Sequence, residues 1–408
     1  MDARDAGIDV HCQRVAAWAF ELSAGLKLTA GEERALEQAA LQHHSAFQML
    51  EGPTMERLTG DLWPCHPMPA EAPRELSEAR AILQAVHRPG ASRRVDRNTA
   101  MANILEIADL FDEQLEMAQL EGQDVQDVLE SAAGDPVLGS ALRIMRKSSR
   151  DVLLALIPRL PVYPAAAVKA LTALARPDVC LEGLEQISRT DQVLAGQLLQ
   201  AANSAFFNPR YPLKTVRDAI AYIGIDHTRS ILSTAALRPL FKTPGSQQLW
   251  AHSMETAQMA EQIAELSGKV NTGEAFLAGL VHDVGRLAIT LFPAQAIQAY
   301  DRLTAKGCEA TIAELVLFGF DHAEAGAEVL RIWKFPEEMV AAIRHHHNPS
   351  RLASDLAAVL YVAEFWNAAD EDFPSNHLLH AAVKQLGVSL DRIGAADFSH
   401  TAAVATLG

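Results

Sequence analysis

The sequence predicts an all-α protein built from helical bundles. Segments rich in Ala, Leu and Glu place apolar residues at three- and four-residue steps, which is the spacing of an amphipathic helix. Alternating runs of Val, Ile and Thr, which are typical of strands, are scarce. We therefore assign helices to residues 14–22, 33–41, 165–175, 193–202, 254–266, 323–333 and 338–343.

The predicted helices are separated by residues that end helices. The segment at 165–175 begins directly after Pro164, and Pro336 separates the last two segments. The segment at 193–202 ends before Asn203-Ser204, whose side chains hydrogen-bond to neighbouring backbone. Each boundary thus has a chemical reason in the sequence.

Composition and charge exclude several classes of protein. The 408 residues are 49% hydrophobic and 21% charged, which is typical of a globular chain with more than one core. The longest apolar run, 356–363, is far shorter than the roughly 20 residues of a membrane helix. The first residues lack the apolar segment of a signal peptide, so we expect a cytoplasmic protein without a membrane partner. The net charge of −16 argues against nucleic acid as a partner.

Two polar stretches indicate domain boundaries. One runs from 122 to 136 and the other from 242 to 246. We predict a helical domain at 1–125, a linker at 126–149, and two further helical subdomains at 150–245 and 246–400.

An ordered set of histidines and acids occurs twice and indicates two copies of one helical module. Each copy has a histidine, then a second histidine after an apolar helix about 30 residues later, and finally an acid within another apolar helix. The first copy contains His11, His43, His44 and Asp109, and the second contains His252, His282, Asp283 and Glu364.

The second copy is rich in potential metal ligands. Imidazoles and carboxylates bind Fe, Mn and Zn, and two such metals can activate a water and clamp a phosphoryl group. A lone histidine on a helix is more often a capped or surface residue, so the ordered set carries the prediction. The predicted ligands are His252, His282, Asp283, His322, His346, His347 and Glu364.

The first copy has a thinner set. His44 stands where the second copy has Asp283, so the carboxylate that could bridge two metals is absent. His11, His43 and Asp109 remain, and we expect a packed bundle without a metal there.

The N-terminal residues resemble the HD superfamily of metal-dependent phosphohydrolases. His11-Cys-Gln-Arg-Val-Ala is similar to the opening of an HD-GYP domain, and the helix that contains Asp109 is similar to its closing helix. However, His43-His44 replaces the His-Asp pair, and no Gly-Tyr-Pro follows. The resemblance therefore implies a degenerate domain that has lost catalysis.

Residues 150 to about 370 resemble the HDOD domain, a relative of the HD proteins in bacterial signalling. The similarity includes Leu198–Ala205, with Asn203-Ser204 in a signature of the family, and His282-Asp283-Val-Gly-Arg286. It implies a non-catalytic output or scaffold role, and makes Asn203 and Ser204 candidate binding residues. Arg286 stands where catalytic relatives have Lys, which weakens the case for an enzyme.

Three functions stay open at this point. The preferred one is a bacterial regulator that binds other signalling proteins, and as further candidates a divalent metal or a cyclic dinucleotide, without hydrolysing it. The alternative is a metal-dependent phosphohydrolase or phosphodiesterase acting on a nucleotide or cyclic dinucleotide, in which Arg286 would stabilise developing charge. The third is a scaffold with no ligand, in which every named histidine is hydrogen-bonded within the fold.

Overall fold

The structure, a computed structural model, is helical and confirms the all-α prediction. It describes residues 3–43, 97–120, 123–160, 165–176, 178–189, 191–241, 246–368 and 377–394. Within these ranges there is no β-strand.

The helices are numbered in chain order over the described residues. They are α1 (Ala3–Ser23), α2 (Ala30–Gln42), α3 (Arg97–Leu120), α4 (Val125–Gly134), α5 (Leu138–Met145), α6 (Arg150–Leu156), α7 (Ala165–Leu174), α8 (Leu181–Arg189), α9 (Gln192–Ala202), α10 (Val216–Ile223), α11 (Ile225–Leu237), α12 (Ser246–Ser267), α13 (Thr272–Val281), α14 (Val284–Ile289), α15 (Ala294–Ala305), α16 (Ala310–Phe318), α17 (His322–Ile332), α18 (Glu337–Arg344), α19 (Asp355–Ala368), α20 (His377–Leu386) and α21 (Leu390–Gly394). Short 3-10 helices occur at Ala24–Leu26, Ile157–Arg159, Arg238–Phe241 and Pro349–Arg351.

The chain divides into two compact units that alternate along the sequence. The first unit consists of Met1–Arg150 and Pro293–Asp321, and the second of Asp151–Phe292 and His322–Gly408. Helices α15 and α16 therefore belong to the first unit, although the chain reaches them from α14 and leaves them at α17. The sequence did not predict this division, because a helix pattern shows which face is apolar but not which core receives it.

The segment at 126–149, which the sequence predicts as a linker, contains helices α4 and α5. Asp124 caps α4 by accepting a hydrogen bond from the Gln126 N–H at 2.8 Å. Leu129, Leu142 and Met145 are buried. The acidic and polar residues that suggested a linker lie on the outer sides of these amphipathic helices.

The core of the first unit contains large aromatic side chains from α1 and α3. Trp18 and Phe111 are fully buried and meet edge to face, with ring centroids 5.2 Å apart. Helix α2 begins at a capping box in which Thr29 and Glu32 bind each other's backbone N–H groups.

In the second unit, two glycines allow helices to approach at the positions that carry the predicted ligands. A Cβ on Gly279 of α13 would lie 2.6 Å from the Cα of Ala257 on α12. A Cβ on Gly285 of α14 would lie 2.0 Å from the carbonyl oxygen of His322, the first residue of α17. Only glycine fits at these crossings, so the backbone brings α12, α13, α14 and α17 together.

Among the helices in the described part of the chain, none has the length and apolar character that a membrane span requires.

Candidate metal centre

The predicted ligands of the second copy come from the ends and faces of six different helices. His252 lies on α12, His282 ends α13, and Asp283 precedes α14. Most of the other four predicted ligands also lie at or just after the ends of helices. His322 begins α17, His346 and His347 follow α18, and Glu364 lies on α19.

The structure brings all seven of these residues together in what we call the His282 cluster. The Nε2 atoms of His252 and His282 are 3.2 Å apart, and those of His322 and His347 are 2.7 Å apart. Asp283 Oδ1 lies 3.0 Å from His322 Nε2. Glu364 Oε2 lies 3.4 Å from His347 Nδ1 and 3.7 Å from His346 Nε2.

Two of the histidines are fixed in the tautomer that a metal ligand needs. The Nδ1 of His282 donates to the carbonyl oxygen of Gly279 at 2.7 Å, and the Nδ1 of His346 donates to that of Ile343 at 2.6 Å. Each ring therefore turns its Nε2 lone pair into the cluster, and such backbone hydrogen bonds commonly orient metal-binding imidazoles. In the described part of the chain, the Nε2 of buried His346 has no hydrogen-bond partner.

Burial and neighbouring charges favour neutral imidazoles at His282 and His346 and an ionised carboxylate at Asp283. Burial disfavours the charged form and lowers the pKa of His282 to about 4. Burial, together with His282 and His322, holds the pKa of His346 well below its usual value. For Asp283, burial alone would raise the pKa, but His282, Arg286 and His322 outweigh burial and hold the pKa well below its ordinary value.

The donor set fits Fe, Mn or Zn. His322, His346, His347 and Glu364 form one group of ligand atoms within 4.8 Å of one another, and His252, His282 and Glu364 form a second. Because Glu364 belongs to both groups, its carboxylate is in position to serve two ions. Imidazole and carboxylate donors in this proportion suit Fe, Mn and Zn better than Ca or Mg, which prefer oxygen.

One side of the His282 cluster reaches solvent. The side chains of His252, Arg286 and His347 are 33%, 30% and 27% exposed, whereas those of His282 and His322 are fully buried. Arg286 Nε lies 2.8 Å from Asp283 Oδ2. The guanidinium therefore borders the cluster at its open side.

The residues predicted in the first copy also converge, in what we call the His11 cluster of His11, Arg14, Trp18, His43, Asp109 and Asp112. His11 donates from Nδ1 to Asp112 at 2.8 Å and from Nε2 to Asp109 at 3.1 Å. His43 donates from Nε2 to Asp109 at 3.0 Å, and its Nδ1 bonds to the carbonyl oxygen of Ala40. Each ring nitrogen thus faces an oxygen atom. His44 lies outside the described residues.

Protonated imidazoles balance the carboxylates of the His11 cluster. Burial opposes protonation of His11, but its hydrogen bonds to Asp109 and Asp112 outweigh burial and raise its pKa to about 10. Likewise, burial opposes protonation of His43, but Asp109 outweighs it and raises the pKa to about 9. The cluster is therefore an ion-pair network whose charges are already compensated.

Sequence reasoning did not find three members of the His11 cluster: Arg14, Trp18 and Asp112. Arg14 donates from Nη2 to Asp112 at 2.8 Å, and Trp18 Nε1 donates to Asp112 at 2.9 Å. A usable signal existed, since Asp112 lies three residues after Asp109 and Arg14 three residues after His11. Residues at this spacing share one face of a helix.

Asn203 and Ser204 do not belong to either cluster. Asn203 follows the last residue of α9, and its backbone N–H bonds to the carbonyl oxygen of Leu199. Its side-chain amide joins the two ends of the loop at residues 203–213.

Comparison with known families identifies one domain. Residues 160–349 match the HDOD domain, so the chain carries an HDOD domain over this range. Six of the seven residues of the His282 cluster lie inside the match, and Glu364 lies beyond it.

One relative matches about half of the chain. An uncharacterized protein of Treponema pallidum (strain Nichols) is 25% identical over 215 residues, which cover 52% of this chain and 42% of that protein. The chain therefore spans less than half the length of this relative.

Two solved structures show a similar fold. A candidate phosphohydrolase from Shewanella amazonensis SB2B is 23% identical, with a TM-score of 0.51 over 63% of this chain and 98% of its own. A candidate signal transduction protein from Marinobacter aquaeolei VT8 is 22% identical, with a TM-score of 0.51 over 70% of this chain and 66% of its own. At these identities the likeness establishes a shared fold.

Proposed function

We propose that this protein is a regulator in bacterial signal transduction, acting in the cytoplasm through partner proteins. Its HDOD domain would bind one or two Fe, Mn or Zn ions in the His282 cluster without turning over a substrate. The N-terminal residues would form a degenerate HD-GYP-like bundle without a metal. The HDOD match and the fold shared with a candidate signal transduction protein support the regulatory role.

The observation that carries the metal proposal is the buried Nε2 of His346. A buried polar atom without a hydrogen bond costs roughly 1–3 kcal/mol, and proteins usually retain such an atom for a reason. This nitrogen faces Glu364 and lies in a group with His322 and His347. A bound cation would satisfy the lone pair and separate the crowded Nε2 atoms of His322 and His347.

Two features favour a regulatory role over turnover. Arg286 stands where catalytic relatives have Lys, and its Nε lies 2.8 Å from Asp283 Oδ2. The His11 cluster, which would be the second catalytic centre of the chain, has its charges compensated internally.

A phosphohydrolase remains the second candidate because the His282 cluster is open on one side. Structural metal sites are generally closed by protein ligands, whereas catalytic sites keep an open position. The partly exposed Arg286 would bind a phosphate at this opening and neutralise its charge, and His252 and His347 would flank it. The metals would supply Lewis acidity and an activated water.

Metal analysis tests the proposed centre. The full-length protein, purified without chelator, is expected to contain one or two equivalents of Fe, Mn or Zn by inductively coupled plasma mass spectrometry. The His282→Ala/Asp283→Ala variant is expected to contain none. His380→Ala, which removes an exposed histidine, is the matched control and should retain the wild-type content. Folded wild type without metal would refute the proposal.

Hydrolysis assays separate the two candidate functions. The metal-loaded protein is incubated with bis(p-nitrophenyl) phosphate, nucleoside mono-, di- and triphosphates, and cyclic dinucleotides. A regulator is expected to give no turnover above the His282→Ala/Asp283→Ala variant. Rapid hydrolysis that this variant lacks would instead establish the phosphohydrolase.

A further inference from the structure

The loop after α9, residues 203–213, is held closed by the side chain of Asn203. Its Nδ2 donates to the carbonyl oxygens of Leu199 at 2.8 Å and Leu213 at 2.9 Å. Its Oδ1 accepts the Leu213 N–H at 2.7 Å. A single amide therefore joins the two ends of the loop.

Other features also restrict the conformation of this loop. Pro209 and Pro212 bracket Arg210-Tyr211 and fix two φ angles. The Tyr222 hydroxyl donates to the carbonyl oxygen of Phe207 at 3.1 Å. Asn208 adopts a left-handed φ of 41°, a conformation that asparagine tolerates better than most residues. The loop is thus organised in advance of any contact, which reduces the entropy lost on binding.

This organised loop presents aromatic side chains to solvent instead of burying them. Tyr211 and Phe206 of the loop are 71% and 40% exposed, and Tyr222 of α10, which bonds to the loop, is 49% exposed. The rings of Phe206 and Phe207 pack edge to face with centroids 4.9 Å apart, and Phe207 packs in the same way on His227. Tyr, Phe and Arg are enriched where proteins bind one another, and a fixed, exposed aromatic group is typical of such surfaces.

Two cations lie in or directly after the same loop. In the described part of the chain, exposed Arg210 and Lys214 form no ion pair, and Arg210 lies over the Tyr211 ring at 5.6 Å. Arg217 nearby in sequence differs, because it pairs with Glu182 and Glu185. Two cations without acidic partners stand out in a chain whose net charge is −16.

We propose that Phe206, Arg210, Tyr211, Lys214 and Tyr222, which we call the aromatic patch, bind an acidic segment of a partner protein. An aromatic or aliphatic side chain of that segment would pack on Tyr211 and Phe206, and its carboxylates would pair with Arg210 and Lys214. Arg210 and Lys214 complement the carboxylates of such a segment, since neither cation forms an ion pair within the described part of the chain. The inference rests on the proposed function only in that the protein acts through partners.

Peptide selection tests this assignment with the full-length protein. A display library of random 12-residue peptides is panned against wild type, and selected peptides are resynthesised with fluorescein for anisotropy measurements. The selected peptides are expected to be acidic, with at least one aromatic or aliphatic residue. Tyr211→Ser and Arg210→Glu should each weaken binding about tenfold or more, and added salt should weaken it further. Ile332→Ser and Lys384→Glu, which change exposed residues of the same unit, should bind like wild type.

Several results would overturn the assignment. They are an absence of selected peptides, peptides without an acidic excess, and affinities that Tyr211→Ser and Arg210→Glu leave unchanged. Sedimentation that shows a dimer lost in Tyr211→Ser would assign the patch to a second copy instead. Tyr211-dependent binding of a 20-nucleotide single-stranded RNA would assign it to nucleic acid. Failure of this proposal is distinguishable from failure of the proposed metal centre. Tyr211→Ser should have the metal content of wild type, and His282→Ala/Asp283→Ala should bind the selected peptides with the affinity of wild type.

Discussion

The His11 cluster and the His282 cluster both contain histidines and carboxylates, but the histidines of the two clusters have different hydrogen-bond partners. In the His11 cluster, both nitrogens of His11 donate to carboxylates, and Arg14 and Trp18 donate to Asp112 as well. In the His282 cluster, the Nδ1 atoms of His282 and His346 donate to backbone carbonyls, and their Nε2 atoms face other potential ligands.

This difference changes the charge of each region. Carboxylates raise the pKa of His11 and His43 to about 10 and 9, so cations already balance the anions there. Burial lowers the pKa of His282 to about 4 and holds the pKa of His346 well below its usual value, so both rings stay neutral beside Asp283. Arg286 pairs with Asp283, and the Glu364 carboxylate faces His346 and His347, so the His282 cluster offers carboxylate and imidazole donors to a metal ion. A cluster of histidines and carboxylates can therefore bind a metal ion only when protons and cations of the protein do not already occupy its lone pairs.

The largest effect is expected from Gly285→Ala. The new Cβ would meet the His322 carbonyl oxygen, so α14 and α17 must separate and Asp283 must move away from His322. We expect a loss of about 3 kcal/mol or more in unfolding free energy, together with the bound metal. Chemical denaturation and metal analysis measure both effects.

Gly196→Ala is the control for this substitution. A Cβ on Gly196 meets nothing within 4 Å, and the residue is an exposed position of α9. We expect this variant to gain about 0.5–1 kcal/mol, because alanine favours the helix. Equal stabilities of the two variants would show that the close approach of α14 and α17 at Gly285 does not contribute to stability.

Metal removal is expected to have the next largest effect, and only through the His282 cluster. At a metal concentration one hundred times the Kd, binding stabilises the folded state by about 2.7 kcal/mol. Excess EDTA should therefore lower the thermal midpoint of wild type and of His11→Gln equally. It should leave His282→Ala/Asp283→Ala unchanged, and an EDTA effect that disappears in His11→Gln would contradict the assignment.

A smaller, pH-dependent effect is expected from His11→Gln. Because the folded-state pKa of His11 lies above the ordinary value of about 6.5, its ion pairs stabilise the fold fully below that pH. The stabilisation is then lost as the pH rises from about 6.5 through 10. We expect His11→Gln to cost about 2 kcal/mol at pH 6, with the difference from wild type shrinking by pH 10.

Hydrogen exchange followed by mass spectrometry measures this effect locally. Peptides from α1 and α3 should exchange faster in His11→Gln than in wild type at pH 6. Peptides from α18 and α19 serve as the internal control, since they belong to the other unit. If the difference in exchange between His11→Gln and wild type grew as the pH rises, the assignment of a protonated His11 would be wrong.

The smallest effects are expected from replacing Arg286, which borders the His282 cluster, or Arg14 of the His11 cluster with lysine. Arg286 is partly exposed and pairs with Asp283, so Arg286→Lys should cost less than about 1 kcal/mol and keep the metal. Arg14 contacts both Asp112 oxygens and Glu116, and lysine cannot reproduce this geometry. Thermal unfolding should show Arg14→Lys as the less stable variant, and the opposite order would contradict the comparison.

The sequence by itself determined the helices and the ligand types. The periodic apolar positions predicted α9 and α17 to within one residue at either end, because side chains at those steps form one buried face. The pattern of His and acid indicated the residues of the His282 cluster, and it indicated His11, His43 and Asp109 of the His11 cluster. Local chemistry, which depends on neighbours along the chain, was sufficient for these predictions.

Only the tertiary structure decided what each residue contacts. Asp112 joins the His11 cluster, and α15 and α16 join the first unit, through packing between residues far apart in sequence. The tertiary structure also decided the protonation states, since His11 and His282 have the same intrinsic pKa and differ in their burial and their neighbours. A pKa depends on burial and on nearby charges, and neither is fixed until the helices have packed.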